Sequence, residues 1–71
     1  MRPLTYREVI CRLNSVGFFE VSQRGSHVKF AKTTADGTFT AIVPRHQELA
    51  VGTLRSILRQ AGIAAEEWET L

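Results

Sequence analysis

The middle of the chain holds three strand-like segments separated by two tight-turn signals, and this pattern constrains the fold more than any other feature. The segments are residues 18–23, 26–32 and 38–43. Arg24-Gly25 and Asp36-Gly37 interrupt them, and glycine in such dipeptides is typical of short hairpin connections. Consecutive strands joined by short turns pair antiparallel. The sequence therefore predicts a three-stranded antiparallel meander with the second segment in its centre.

Helical patterns precede and follow the predicted sheet. Thr5 and Glu8 have the spacing of a capping box, and apolar residues at helical spacing follow them. A second apolar stripe begins near Gly52 and ends at Gly62, where a left-handed glycine can close a helix. A final helical turn is expected to pack through Trp68. The predicted fold is α+β with the order α-β-β-β-α and both helices on one face of the sheet.

The central segment carries different chemistry on its two faces. Because side chains alternate along a strand, Val28 and Phe30 point to one face while His27 and Lys29 point to the other. If the helices cover the apolar side, the imidazole and the ammonium group stand in the middle of an open face. Taken by itself, this pattern is explained by a surface strand with its polar residues outward. The alternative is that the histidine is functional.

The core of such a chain must be small. The 71 residues, 44% of them hydrophobic, indicate one globular domain over residues 1–71. Below about 70 to 80 residues, one core seldom supplies more than about 3 to 5 kcal/mol, so a partner would add stability. A phenylalanine left on the open face could stack a nucleobase. Otherwise the phenylalanines and the tyrosine are expected mostly in the core: Tyr6, Phe18, Phe19, Phe30 and Phe39.

Composition narrows the functional classes. The single cysteine excludes an internal disulfide, and one cysteine with two separated histidines gives no recognisable zinc spacing. No apolar run reaches the length of a membrane span, and the N-terminus lacks a signal-peptide core. These features predict a cytoplasmic protein with no metal, no other cofactor and no membrane association.

The distribution of charge along the chain is more informative about possible ligands than the net charge of +2. All nine Lys and Arg lie within residues 2–59 beside four acids, whereas the other three acids follow Arg59. A basic body fits a phosphate-backbone ligand, and it fits a well-solvated surface almost as well.

Three stretches together resemble a known family. They are Gly25-Ser26-His27, then Val43-Pro44-Arg45-His46, and then the helical residues 52–63. They resemble the HicA toxins of bacterial toxin-antitoxin pairs, also called YcfA-like mRNA interferases, over nearly the whole chain. The resemblance implies a double-stranded-RNA-binding-domain-like fold and ribonuclease activity against mRNA. It also implies a catalytic role for His27 and inhibition by a HicB-like antitoxin protein.

The chemistry of RNA suits this site. RNA carries its own nucleophile, the 2′-OH, so cleavage needs proton transfer and positive charge near the phosphate. An imidazole changes charge between about pH 5 and 8, which lets His27 act as general acid or base. Lys29 is placed to offset charge on the phosphorane. The acids are scattered over different elements, so a metal-independent reaction is expected.

Further residues are candidate RNA contacts, each with an ordinary alternative. Arg24 either binds a phosphate or keeps its turn soluble, and Ser26 can simply hydrogen-bond within that turn. Arg45 and His46 precede the second helix, where free amides favour anions. His46 is a candidate second proton-transfer group, and a histidine that caps local backbone is equally compatible with its position.

A second function class stays open on the sequence alone. The same fold can serve as a non-catalytic RNA-binding module, or as a purely structural subunit with no RNA affinity. Replacement of His27 separates the first of these from a nuclease, because a binding module keeps its function without the imidazole.

Overall fold

Five strands and three helices follow one another in the computed structural model, which describes residues 1–71. In chain order they are β1 (Leu4–Thr5), α1 (Tyr6–Ser15), β2 (Phe19–Arg24), β3 (His27–Thr34), β4 (Gly37–Pro44), β5 (Glu48–Leu49), α2 (Val51–Ala61) and α3 (Ala65–Trp68). None of the helices has the length and apolar character needed to span a bilayer.

The main sheet has the strand order β2-β3-β4 with antiparallel pairing throughout, so the predicted meander is confirmed. On one face of β3 and β4, the side chains of Val28, Phe30, Ala41 and Val43 are buried. These side chains share a single hydrophobic cluster with the apolar stripes of α1 and α2. Both helices therefore lie on one face, and the predicted double-stranded-RNA-binding-domain-like α+β fold is confirmed.

A small second sheet was not predicted. Leu4 pairs with Leu49 and Thr5 pairs with Glu48, which joins β1 to β5. Two-residue strands are too short to show an alternating pattern, so the sequence carries no signal for them. The pairing ties the start of α1 to the start of α2, and both leucines are buried.

The capping box at the start of α1 is present as predicted. The Glu8 amide donates to Thr5 Oγ1 at 3.1 Å, and the Thr5 amide donates to Glu8 Oε1 at 3.0 Å. Hydrogen bonding to the carboxylate, first from the Thr5 amide and then from the Thr5 side chain, lowers the pKa of the Glu8 carboxyl below its ordinary value of 4.5. Glu8 thus supports the helix fully at neutral pH, and this support is lost as the pH falls through the lowered pKa.

The C-terminal turn closes the core. Trp68 on α3 is completely buried, and its ring lies 5.3 Å from the Arg12 guanidinium carbon. Arg12 also donates to the Trp68 carbonyl at 3.0 Å. The indole Nε1 is buried without a hydrogen-bond partner. The expected packing through Trp68 is confirmed, with an arginine of α1 holding it in place.

Two phenylalanines are exposed: Phe19 is the one that the sequence analysis allowed on the open face, whereas the expectation of Phe39 in the core is wrong. Phe19 is 57% exposed and Phe39 is 40% exposed. Phe18 occupies the core position of its pair, and strand alternation then turns Phe19 to the other face. Phe39 is two residues from buried Ala41 and so lies on the same face of β4. It lies beyond the main contact with the helices, against Gly62.

The outer edge of β4 is contacted by α2. The Ile42 amide, which points away from β3, donates to the Gln60 side-chain oxygen at 3.0 Å. Pro44 follows on the same edge and carries no N–H. A helix side chain and a proline thus occupy the final part of this strand edge.

Candidate functional site

A β-bulge in β2 determines which side chains reach the open face of the sheet. Glu20 pairs with Phe30 and Ser22 pairs with Lys29, so Val21 is an extra residue without a partner. Phe19 and Arg24 are five positions apart and would face opposite sides of a regular strand. The bulge reverses the alternation between them. Both therefore lie on the open face, where their partners are Ala31 and His27.

The open face contains a shallow concavity of about 510 Å³. Two cross-strand rows form it. Arg24, His27 and Pro44 are in register in one row, and Ser22, Lys29 and Ile42 are in register in the next. All but Pro44 line the concavity: Ser22, Arg24, His27, Lys29 and Ile42. His27 and Lys29, which the sequence analysis placed on one face of the central strand, therefore share one site with Arg24.

The β2–β3 turn fixes where His27 lies. Gly25 has a φ of 59°, and Ser26 after it has a negative φ, as expected of a two-residue type II′ hairpin turn. His27 is consequently the first residue of β3. The imidazole is on the central strand as predicted, but it lies at the end of the sheet rather than midway along it.

The concavity is positively charged and free of carboxylates. Arg24 and Lys29 line it, and neither takes part in the ion pairs of the protein, which join Met1 to Glu69 and Arg2 to Glu8. The acid nearest in sequence, Glu20, pairs with Phe30 and so belongs to the opposite face. An anion entering the concavity would meet two cations that have no competing partner.

Arg45 and Ser26 lie beside the concavity rather than in its lining. The Arg45 amide donates to the Ser26 carbonyl at 2.6 Å, which joins the β2–β3 turn to the end of β4. The Arg45 guanidinium lies 5.7 Å from the Tyr6 ring centroid and 3.4 Å from the Gln23 side-chain oxygen. The structure therefore directs this arginine towards α1.

The Tyr6 hydroxyl stays protonated near neutral pH beside this arginine. Its burial raises the Tyr6 pKa above the ordinary 10.0, Arg45 opposes the rise, and Glu20 adds to it. A protonated phenol can donate a hydrogen bond.

His46 is exposed two residues after Pro44, the cross-strand neighbour of His27. Its amide donates to the Pro44 carbonyl at 2.9 Å. His46 does not line the concavity, although it lies at the same end of the sheet. Its predicted contact with RNA stays a prediction, as do those of Ser26 and Arg45.

Two lining residues were missed in the sequence analysis. Ile42 alternates with buried Ala41 and Val43, so the period of two along β4 was sufficient to place it on the open face. Ser22 follows the bulge, and no sequence signal marks where that bulge falls. Nowhere does the structure gather three or more His, Cys, Asp or Glu side chains into a group that could hold a metal ion.

The chain was compared with models of known protein families. The family model described as HicA toxin of bacterial toxin-antitoxin matches residues 6–63, which include every residue that lines the concavity. A search of curated proteins gives no match. The match also contains α1, the whole main sheet and α2, whereas α3 follows it.

Proposed function

Because the chain belongs to the HicA toxin family of bacterial toxin-antitoxin pairs, we propose that it is an endoribonuclease that cleaves mRNA in the cytoplasm. The observation that carries this proposal is the exposed His27 in a carboxylate-free concavity with Arg24 and Lys29. This combination supplies a proton-transfer group and positive charge for a phosphodiester. The alternative, an RNA-binding module without catalysis, would use the same cations but not the imidazole.

The proposed reaction is an internal transesterification. The 2′-oxygen of the RNA attacks the adjacent phosphorus while a base removes its proton, and the bond from phosphorus to the 5′-oxygen breaks. The leaving 5′-oxygen takes a proton. The products are a 2′,3′-cyclic phosphate and a 5′-OH end. His27 serves as general acid or base, a role that typically contributes about 10²- to 10⁴-fold.

Lys29 and Arg24 offset negative charge on the phosphate in this scheme. Lys29 lies two residues from His27 on the same strand face, about 7 Å along the strand at the usual rise per residue. A phosphate beside the imidazole is therefore within reach of the lysine side chain. Its ammonium offsets the charge that grows on the phosphorane, and Arg24 binds phosphate from the neighbouring strand. Ser26, Arg45 and His46 extend the proposed RNA contacts around the end of the sheet.

A matched pair of substrates tests the proposal. The purified chain is incubated in EDTA with an RNA strand and with its all-2′-deoxy counterpart. We expect cleavage of the RNA alone, with 2′,3′-cyclic phosphate and 5′-OH ends, since only RNA has the nucleophile. Products with 5′-phosphate ends that disappear in EDTA would refute the mechanism. Binding of the RNA without cleavage would favour the non-catalytic module.

We further propose that a HicB-like antitoxin inhibits the chain by covering the open face. The face exposes unpaired cations, and an acidic partner surface could replace the phosphates there. A partner that binds only the folded state also stabilises it, by about 2.7 kcal/mol at 100 times its Kd.

The two histidines of the chain provide the test of this inhibition. Diethyl pyrocarbonate modifies exposed imidazoles, and both His27 and His46 are exposed in the free chain. In the complex with the antitoxin we expect His27 to be protected, as measured by mass spectrometry. Reactivity at His46 then shows whether the cover extends past the end of the sheet. An inhibitory complex in which His27 reacts as fast as in the free chain would contradict occlusion.

A further inference from the structure

The open face carries an aromatic platform beyond the concavity. Phe19 is 57% exposed, in contrast to Phe18, which is 1% exposed. It is in register with Ala31 on β3, and Ala31 is in register with Thr40 on β4. The two neighbours across this row are small and uncharged. One face of the ring is therefore not crowded by a large cross-strand side chain.

From this arrangement we propose that Phe19 stacks a base of the single-stranded RNA whose phosphate lies at His27. The inference rests on the proposed function and adds a positioning residue to it. An aromatic ring on a basic surface is the combination that single-strand binding uses, because every base has a π-face and the cations follow the backbone. Phe19 supplies the ring here, and Arg24 and Lys29 supply the cations.

The spacing along the sheet suits such a ligand. Ala31 lies four residues from His27 on the same strand, about 13 Å at 3.3 Å per residue. Stacked nucleotides advance about 3.4 Å each along one strand, so this distance corresponds to about four stacked nucleotides, and to fewer in an extended strand. A strand with one phosphate at His27 can thus present a nearby base to Phe19.

The other exposed phenylalanine does not share this position. Phe39 has the parity of buried Ala41 and Val43, which places it on the helix face against Gly62. Only Phe19 combines an exposed ring with the face that carries His27. The bulge at Val21 is responsible, because without it Phe19 and Arg24 would lie on opposite faces.

Binding to a non-cleavable RNA tests the inference independently of catalysis. The ligand is a 2′-O-methyl oligoribonucleotide, which lacks the attacking hydroxyl, and affinity is measured by fluorescence anisotropy. We expect Phe19→Ala to weaken binding about 5- to 150-fold, the range for loss of one base stack. Phe19→Trp is expected to retain it. Phe39→Ala is the matched control, since it removes an exposed phenylalanine from the other face.

A second set of ligands separates loss of base stacking from other effects of the substitution on binding. An oligonucleotide series carries one abasic position at each nucleotide in turn. We expect one position at which loss of the base weakens binding to the parent chain and leaves binding to Phe19→Ala unchanged. If Phe19→Ala binds RNA as tightly as the parent, the inference is overturned, and loss of antitoxin binding in that variant would assign Phe19 to the protein partner instead.

The outcomes also distinguish this inference from the proposed function. A chain that binds RNA through Phe19 but does not cleave it would overturn the ribonuclease proposal and leave the stacking intact. A chain that cleaves RNA, and that binds the non-cleavable RNA equally well with and without Phe19, would overturn the stacking and leave the ribonuclease proposal intact. A parent chain with no affinity for RNA would overturn both.

Discussion

His27→Ala is expected to slow RNA cleavage by about 10²- to 10⁴-fold while leaving the fold intact. The loss follows from removal of the only imidazole that lines the concavity. Because His27 is exposed and lies opposite the apolar face, its replacement opens no cavity in the core. The measurement is the cleavage rate on a fixed RNA, together with circular dichroism and the thermal midpoint of each protein.

His46→Ala serves as the comparison for this variant. It removes the other imidazole of the chain, which lies outside the concavity. We expect a clearly smaller loss of rate than for His27. Equal losses would indicate that the two histidines divide the proton transfers between them. Cleavage by His27→Ala at the parental rate would contradict the catalytic assignment, and unfolding of both His27→Ala and His27→Asn would make the residue structural.

Trp68→Ala is expected to unfold most of the protein at room temperature. Truncation of a buried tryptophan typically costs about 3 to 5 kcal/mol, because the cavity that it leaves collapses only in part. A core of this size supplies about the same amount in total. The indole is completely buried and also packs against the Arg12 guanidinium, so its core packing and this cation–π contact are lost together. Urea titration followed by circular dichroism measures the change in unfolding free energy.

Trp68→Phe is the matched control for that experiment. It keeps an aromatic ring in the core and removes the Nε1–H, which is buried without an acceptor. Loss of an unsatisfied donor offsets part of the lost packing, so we expect a much smaller destabilisation than for alanine. If Trp68→Ala unfolds at the parental urea concentration, α3 contributes little to the fold.

The parts of the fold that depend on local pattern could be predicted from the sequence. The caps at Thr5 and Gly62 and the alternation of Val28 with His27 are short-range features, and they indicated the helices and the central strand correctly. The β1–β5 pairing depends on residues more than forty positions apart, Leu4 and Leu49, so nothing local marks it.

The candidate site was only partly predictable for a related reason. Lys29 and His27 share a face by simple alternation, which the sequence shows. Phe19 and Ser22 lie on opposite sides of a bulge whose position depends on how β2 fits β3 in the folded sheet. Their arrangement relative to the histidine therefore required the structure, as did the turn of Arg45 towards Tyr6.

The contacts at the edge of β4 also bear on how molecules of this protein meet one another. An edge strand with free amides is a template on which a second chain can add a strand, and long sheets and aggregates grow in this way. The Gln60 side chain occupies the Ile42 amide, and Pro44 offers none. On the other edge, the bulge at Val21 interrupts the regular spacing of β2. Edge-to-edge growth of the sheet is thus obstructed at the final part of the β4 edge and at the bulge of the β2 edge.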